Sequence, residues 1–112
     1  MKIELNENIV FGDNHPFVLI AGPCVIENET LVMKTAEKIK EITTKLNVPF
    51  VYKASYDKAN RSSIYSYRGP GMKNGLEILN KVREKFNLPI TSDIHEANQA
   101  KEVGEVLDII QV

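Results

Sequence analysis

Apolar positions along this chain change their spacing several times, and each change predicts a new element. Residues 3–11, IELNENIVF, alternate apolar and polar side chains around Asn6-Glu7-Asn8, which predicts a short β-hairpin. Residues 16–24, PFVLIAGPC, are an unbroken apolar run stopped at Gly22-Pro23, the pattern of a strand buried on both faces. From Glu29 to Leu46 the positions Leu31, Val32, Ala36, Ile39, Ile42 and Leu46 fall mostly three and four apart, with lysines and glutamates between them. That spacing predicts an amphipathic helix. PFVYKAS (49–55) reads as a second strand, and 72–86 as a second helix on Leu76, Leu79, Val82 and Phe86. LPITSDIH (88–95) predicts a third strand, EANQAKEVGE (96–105) a short third helix and VLDIIQV (106–112) a fourth strand.

A hairpin followed by βαβαβαβ calls for a mainly parallel sheet with helical crossovers. The fold class expected is α/β: a hairpin over 1–12, then, over 16–112, the first four strands of a (β/α)8 barrel in one incomplete domain. A last strand ending in IIQV asks for a covering helix and a neighbouring strand. The expectation is therefore half a barrel, truncated or completed by a partner.

Composition narrows the function classes. The chain has 112 residues, 43% hydrophobic and 26% charged, with a net charge of −1. Bulk attraction to nucleic acid or to a membrane surface has no basis in that balance, so any anion recognition must come from local clusters. No run approaches the length of a membrane span, and MKIELNEN lacks the apolar core of a secretory signal. A single cysteine, Cys24, forms no internal disulfide and suits a reducing, cytoplasmic setting.

Side-chain alternation places Val51, Lys53 and Ser55 on one face, Thr91, Asp93 and His95 on one face, and Ile109 with Gln111. Strand after strand thus ends one row in polar or ionisable groups, and the C-terminal strand ends are where barrel active sites assemble. The plainer reading is that these are solvated residues beside loops. Between the second strand and second helix lies YKASYDKANRSSIYSYRGPG (52–71), in which Lys53, Lys58, Arg61 and Arg68 are accompanied by only one carboxylate, Asp57. A guanidinium can hold phosphate through paired hydrogen bonds, with neighbouring Asn60 and Ser62-Ser63 completing the shell. The following helix N-terminus could add backbone donors. The ligand class inferred is a phosphorylated small molecule; the alternative is a solvated basic loop. A lone cysteine after a strand commonly packs as a small buried hydrophobe, and otherwise serves as a nucleophile or a metal ligand. His95 is its candidate neighbour, while His15 precedes the first strand at the opposite end of the sheet.

The motifs AGPCVIE (21–27), YKASYDKANRSSIYSYRGPG (52–71), TSDIHE (91–96) and DIIQV (108–112) together resemble the N-terminal part of the 3-deoxy-D-manno-octulosonate 8-phosphate (KDO 8-phosphate) synthases. Related heptulosonate-phosphate synthases share the first motif, but their second loop resembles KPRTS where this chain has DKANRSS. The resemblance implies a barrel enzyme that condenses phosphoenolpyruvate with arabinose 5-phosphate and water, a transferase of KDO and lipopolysaccharide biosynthesis. It implies Lys58, Asp93 and His95 as catalytic residues. Lys53, Ser55, Lys58, Asn60, Arg61, Ser62, Asp93 and Gln111 would bind the substrates, with Arg61 on the sugar phosphate. Cys24 matches the metal-dependent branch, where it would be one ligand of a divalent ion such as zinc, iron or manganese, with the remaining ligands on later strands. A homotetramer is implied as well. The competing expectations are a heptulosonate-phosphate synthase and a non-catalytic, self-associating half-barrel.

Overall fold

The computed structural model describes residues 1–59, 63 and 65–112. The hairpin forms as expected: β1 (Lys2–Glu4) pairs antiparallel with β2 (Val10–Gly12), Ile3 opposite Phe11. Its turn is tied by Asn6, whose Oδ1 accepts from the backbone amides of Asn8 and Ile9, each at 2.8 Å. This is an Asx-type closure, which suits asparagine.

Four parallel strands follow, in the spatial order β3 (Leu19–Ala21), β4 (Phe50–Lys53), β5 (Ile90–Asp93) and β6 (Ile109–Gln111). Helices α1 (Glu29–Leu46) and α2 (Met72–Phe86) carry the chain from strand to strand. The buried core joins Val32, Ala36, Leu79, Val82 and Val103 of the helices to Tyr52, Ala54 and Ile90 of the sheet. Strand order equals chain order, and the helices pack on one face. A sheet wound in one direction curls toward a barrel, whereas a doubly wound sheet reverses its order midway. The architecture is thus that of a partial (β/α)8 barrel, with the second sheet face turned to the interior.

Local chemistry explains why the elements start and stop where they do. Asn28 caps α1, its side-chain oxygen accepting from the Leu31 amide at 2.8 Å. Both long helices end on an asparagine in the left-handed conformation, Asn47 (φ 55°) and Asn87 (φ 52°). Each is followed by one apolar residue, a proline and the next strand. Asparagine tolerates that conformation and proline forbids continued helix. The proline carbonyls then open the sheet ladders: Pro49 O accepts from Leu19 N at 2.8 Å and Pro89 O from Tyr52 N at 2.9 Å.

Two expectations need correction. The first strand is not buried on both faces: Ile20 is 43% exposed, because β3 is paired only with β4 and nothing among the described residues covers its inner side. The third helix is shorter and broken: a 3-10 turn, Ala97–Gln99, leads into α3 (Ala100–Gly104). No helix among the described residues is long and apolar enough to cross a membrane.

Candidate active site

Parallel register decides which side chains meet. Lys53 lies beside Thr91, Thr91 beside Ile109, and Asp93 beside Gln111. Partnered residues of parallel strands project from the same face. Tyr52, Ala54 and Tyr56 belong to the helix-side core, so Lys53 and Ser55 project from the other face. Lys53, Ser55, Asp93 and Gln111 therefore stand on the interior face at the C-terminal end of the sheet.

Asp93 is the centre of the cluster. The fully buried Ser55 hydroxyl donates to Asp93 Oδ1 at 2.6 Å. Burial alone would raise the Asp93 pKa. The Ser55 hydrogen bond, a bond from its own backbone amide and the charges of Lys53 and Lys58 outweigh that effect and lower it below the ordinary carboxylate value. Asp93 is thus a carboxylate held ionised beside two lysines. A second consequence concerns Lys58: it lies in the loop after β4, yet its charge acts on the end of β5.

Cys24 is brought to the same end. Its chain neighbour Val25 bridges to Ser55, and Ile26 N donates to Ser55 O at 3.0 Å. The approach depends on Gly22, where an added Cβ would lie 1.7 Å from the Lys53 carbonyl oxygen. The thiol-bearing residue is exposed, which removes the reading of Cys24 as a small buried hydrophobe. Among the described residues no three His, Cys, Asp or Glu side chains are grouped to hold a metal ion. Cys24 is one donor at a strand end, and this chain's described residues do not complete a metal site.

His95 is held rather than free. Its Nε2 donates to the Asp57 carbonyl oxygen at 2.5 Å and lies 3.6 Å from Asp93 Oδ2. Its amide donates to Gln99 Oε1 at 3.0 Å, and that same oxygen accepts from the Tyr56 hydroxyl at 2.8 Å. The Tyr56 ring stands edge-on to the imidazole. Gln99 and Tyr56 thus join the loops after β4 and β5, a link the sequence pattern did not reveal.

The four-cation loop is corrected in one respect. Arg68 is paired rather than free: its Nε and Nη2 meet Asp57 Oδ1 and Oδ2, each at 3.0 Å. The lone carboxylate between the cations was the available signal, but a pairing eleven residues apart has no periodicity to expose it. Asn60, Arg61 and Ser62 lie outside the described residues. Gln111 carries its side chain exposed, while its carbonyl accepts from Ile94 N at 3.0 Å.

A cleft of about 680 Å³ lies at the opposite end of the sheet, between the hairpin turn and the ends of α1 and α2. Its cations are already engaged. Lys40 donates to the Phe86 carbonyl, and Arg83 donates to the Val106 carbonyl at 2.5 Å and lies 3.7 Å from Asp108. The strand ends, with Lys53 and Lys58 around Asp93, are the better candidate for anionic substrates.

A sequence model of the DAHP synthetase I family matches residues 1–112. Proteins called 2-dehydro-3-deoxyphosphooctonate aldolase are similar to the chain. That of Fusobacterium nucleatum is 57% identical over 105 residues, covering 94% of this chain and 38% of the relative. That of Geotalea uraniireducens is 52% identical over 105 residues, covering 94% and 39%. That of Pseudoalteromonas translucida is 52% identical over 110 residues, covering 98% and 38%. The chain therefore spans about two fifths of the length of the curated relatives it matches.

Proposed function

The chain belongs to the DAHP synthetase I family, and on that premise we propose that it supplies the first strands of a KDO 8-phosphate synthase active site. The reaction joins phosphoenolpyruvate, D-arabinose 5-phosphate and water to give KDO 8-phosphate and inorganic phosphate. The names of the relatives at 51–57% identity support this branch. So does the DKANRSS loop in place of KPRTS. The observation that carries the reading is the charge arrangement at the strand ends: a carboxylate kept ionised by Ser55, Lys53 and Lys58.

Two polyanionic substrates repel each other, and fixed cations at one mouth offset that repulsion while orienting the reacting carbons. Lys53 and Lys58, with Ser55, hold phosphoenolpyruvate, and Lys58 stabilises the charge that develops on the aldehyde oxygen as the carbon–carbon bond forms. Asn60, Arg61 and Ser62 take the sugar phosphate, Arg61 through a paired hydrogen bond. Asp93 accepts hydrogen bonds from sugar hydroxyls, Gln111 lines the same mouth, and His95 fixes the loop above it. Cys24 would be one ligand of a divalent ion, zinc, iron or manganese, completed by ligands outside the described residues. Such an ion would supply Lewis-acid polarisation of the aldehyde and water. The same reading entails a cytoplasmic, homotetrameric transferase of KDO and lipopolysaccharide biosynthesis.

The family description also names DAHP synthetase, which favours erythrose 4-phosphate as the rival acceptor. One assay separates them. Phosphate release from phosphoenolpyruvate by the full-length protein is measured with each aldose phosphate. Arabinose 5-phosphate is expected to support turnover at least about tenfold faster, the scale of one well-placed contact. Preference for erythrose 4-phosphate refutes the octulosonate reading, and release with neither refutes both.

A further inference from the structure

The loop between β4 and α2 is closed at its base by several independent contacts. Arg68 and Asp57 meet as a fork, with two parallel bonds of 3.0 Å. Lys58 N donates to Arg68 O at 2.6 Å, and Gly71 N donates to Tyr56 O at 3.0 Å. Gly69 has φ +119°, and a Cβ there would sit 2.4 Å from Tyr56 O, so the two arms of the base pass too closely for any side chain. From the sheet side, the His95 imidazole donates to the Asp57 carbonyl, and the Tyr67 hydroxyl donates to Ile26 O at 3.0 Å. The bonds to Asp57 and Tyr56 sit immediately before Lys58 in the chain, its own amide bonds to Arg68 O, and its ammonium is in no described ion pair.

We propose that Asp57 and Arg68 are a positioning pair that holds Lys58 beside Asp93 at the C-terminal end of the sheet, and that Arg68 binds no substrate anion itself. The proposal rests on the reading of those strand ends as the phosphoenolpyruvate and sugar-phosphate site. A bidentate fork fixes the orientation of both partners, which a single lysine contact does not. Asp57 also pairs with the Arg68 charge, so the strand ends keep Lys53 and Lys58 as their described cations. The Lys58 charge is among those that lower the Asp93 pKa, so its ammonium lies near the end of β5.

The test follows two readouts in the protein and its variants: hydrogen exchange of the Lys58 and Gly71 amides, and a binding titration with phosphoenolpyruvate. In Arg68→Ala the Lys58 amide is expected to exchange about tenfold faster as the base opens locally. Phosphoenolpyruvate affinity is expected to fall about two- to fivefold, the scale of a well-formed exposed ion pair. Arg68→Lys keeps the charge, loses the fork and is expected to fall between. The exchanged pair D57R/R68D is expected to restore both readouts to within about twofold of the original. A direct anion ligand would not be restored, because the swap puts a carboxylate where the guanidinium was. Unchanged Lys58 exchange in Arg68→Ala, or a swap that recovers neither readout, overturns the proposal. If the original protein does not bind phosphoenolpyruvate saturably, the functional reading falls and takes the substrate half of the proposal with it. The exchange rates then decide the clamp alone.

Discussion

Asp93 shows how one residue reports on its surroundings. Burial disfavours its charge, yet the Ser55 hydroxyl, its backbone amide, Lys53 and Lys58 together lower its pKa. A carboxylate with a lowered folded-state pKa contributes stability that is present above the ordinary carboxylate value and is lost as pH falls through the lowered value. Asp93→Asn should therefore reduce the melting temperature at neutral pH, and the gap to the original protein should narrow below about pH 4. Thermal unfolding from pH 3 to 7 checks this; a gap that widens on acidification would mean Asp93 is not held ionised. Lys53, Ser55, Asp93 and Gln111 were legible in the sequence because strand alternation has a period of two, so their shared face follows from counting. The Arg68–Asp57 fork and the grip on His95 were not, since loop residues carry no period and pair by shape. Cys24 fell between: its place after the strand was legible, its exposure was not.

At the scale of elements, the turns of the chain are set by a few local devices. Asn47-Val48-Pro49 and Asn87-Leu88-Pro89 each stop a helix and launch a strand. Helix boundaries at 29–46 and 72–86 were readable because apolar spacing and these stops agree. The short third helix was read too long, since 96–105 has too few apolar positions to show where regular α-helix begins. Tyr52 ties the layers together, its buried hydroxyl donating to Val32 O of α1 at 2.9 Å, and burial raises its pKa. Gly22 is the element-level weak point. Its missing Cβ lets the end of β3 lie against the Lys53 carbonyl, and that approach carries Cys24 to the site. Gly22→Ala should destabilise the fold by about 1–3 kcal/mol through overpacking against backbone, read as a lower urea midpoint. Unaltered stability would show that the two segments are not in such close contact.

For the whole molecule, the winding of the sheet matters most. Because β3, β4, β5 and β6 lie side by side in chain order, their C-terminal ends open onto one mouth and their N-terminal ends onto the hairpin. The two ends differ in chemistry. The cleft near the hairpin has its lysine and arginine tied to backbone carbonyls, while the strand-end mouth keeps Lys53 and Lys58 around an ionised Asp93. This one-way order was legible from the alternation of strands and helices, whereas the exposed inner side of β3 was not, because an apolar run looks the same whether or not a neighbour covers it. The most direct measurement is amide and side-chain NMR of the protein titrated with phosphoenolpyruvate and arabinose 5-phosphate. Perturbations are predicted to centre on Lys53, Ser55, Lys58, Asp93 and Gln111, with Asn6, Lys40, Arg83 and Asp108 unmoved. Shifts centred on the hairpin-end cleft, with the strand ends silent, would contradict the account.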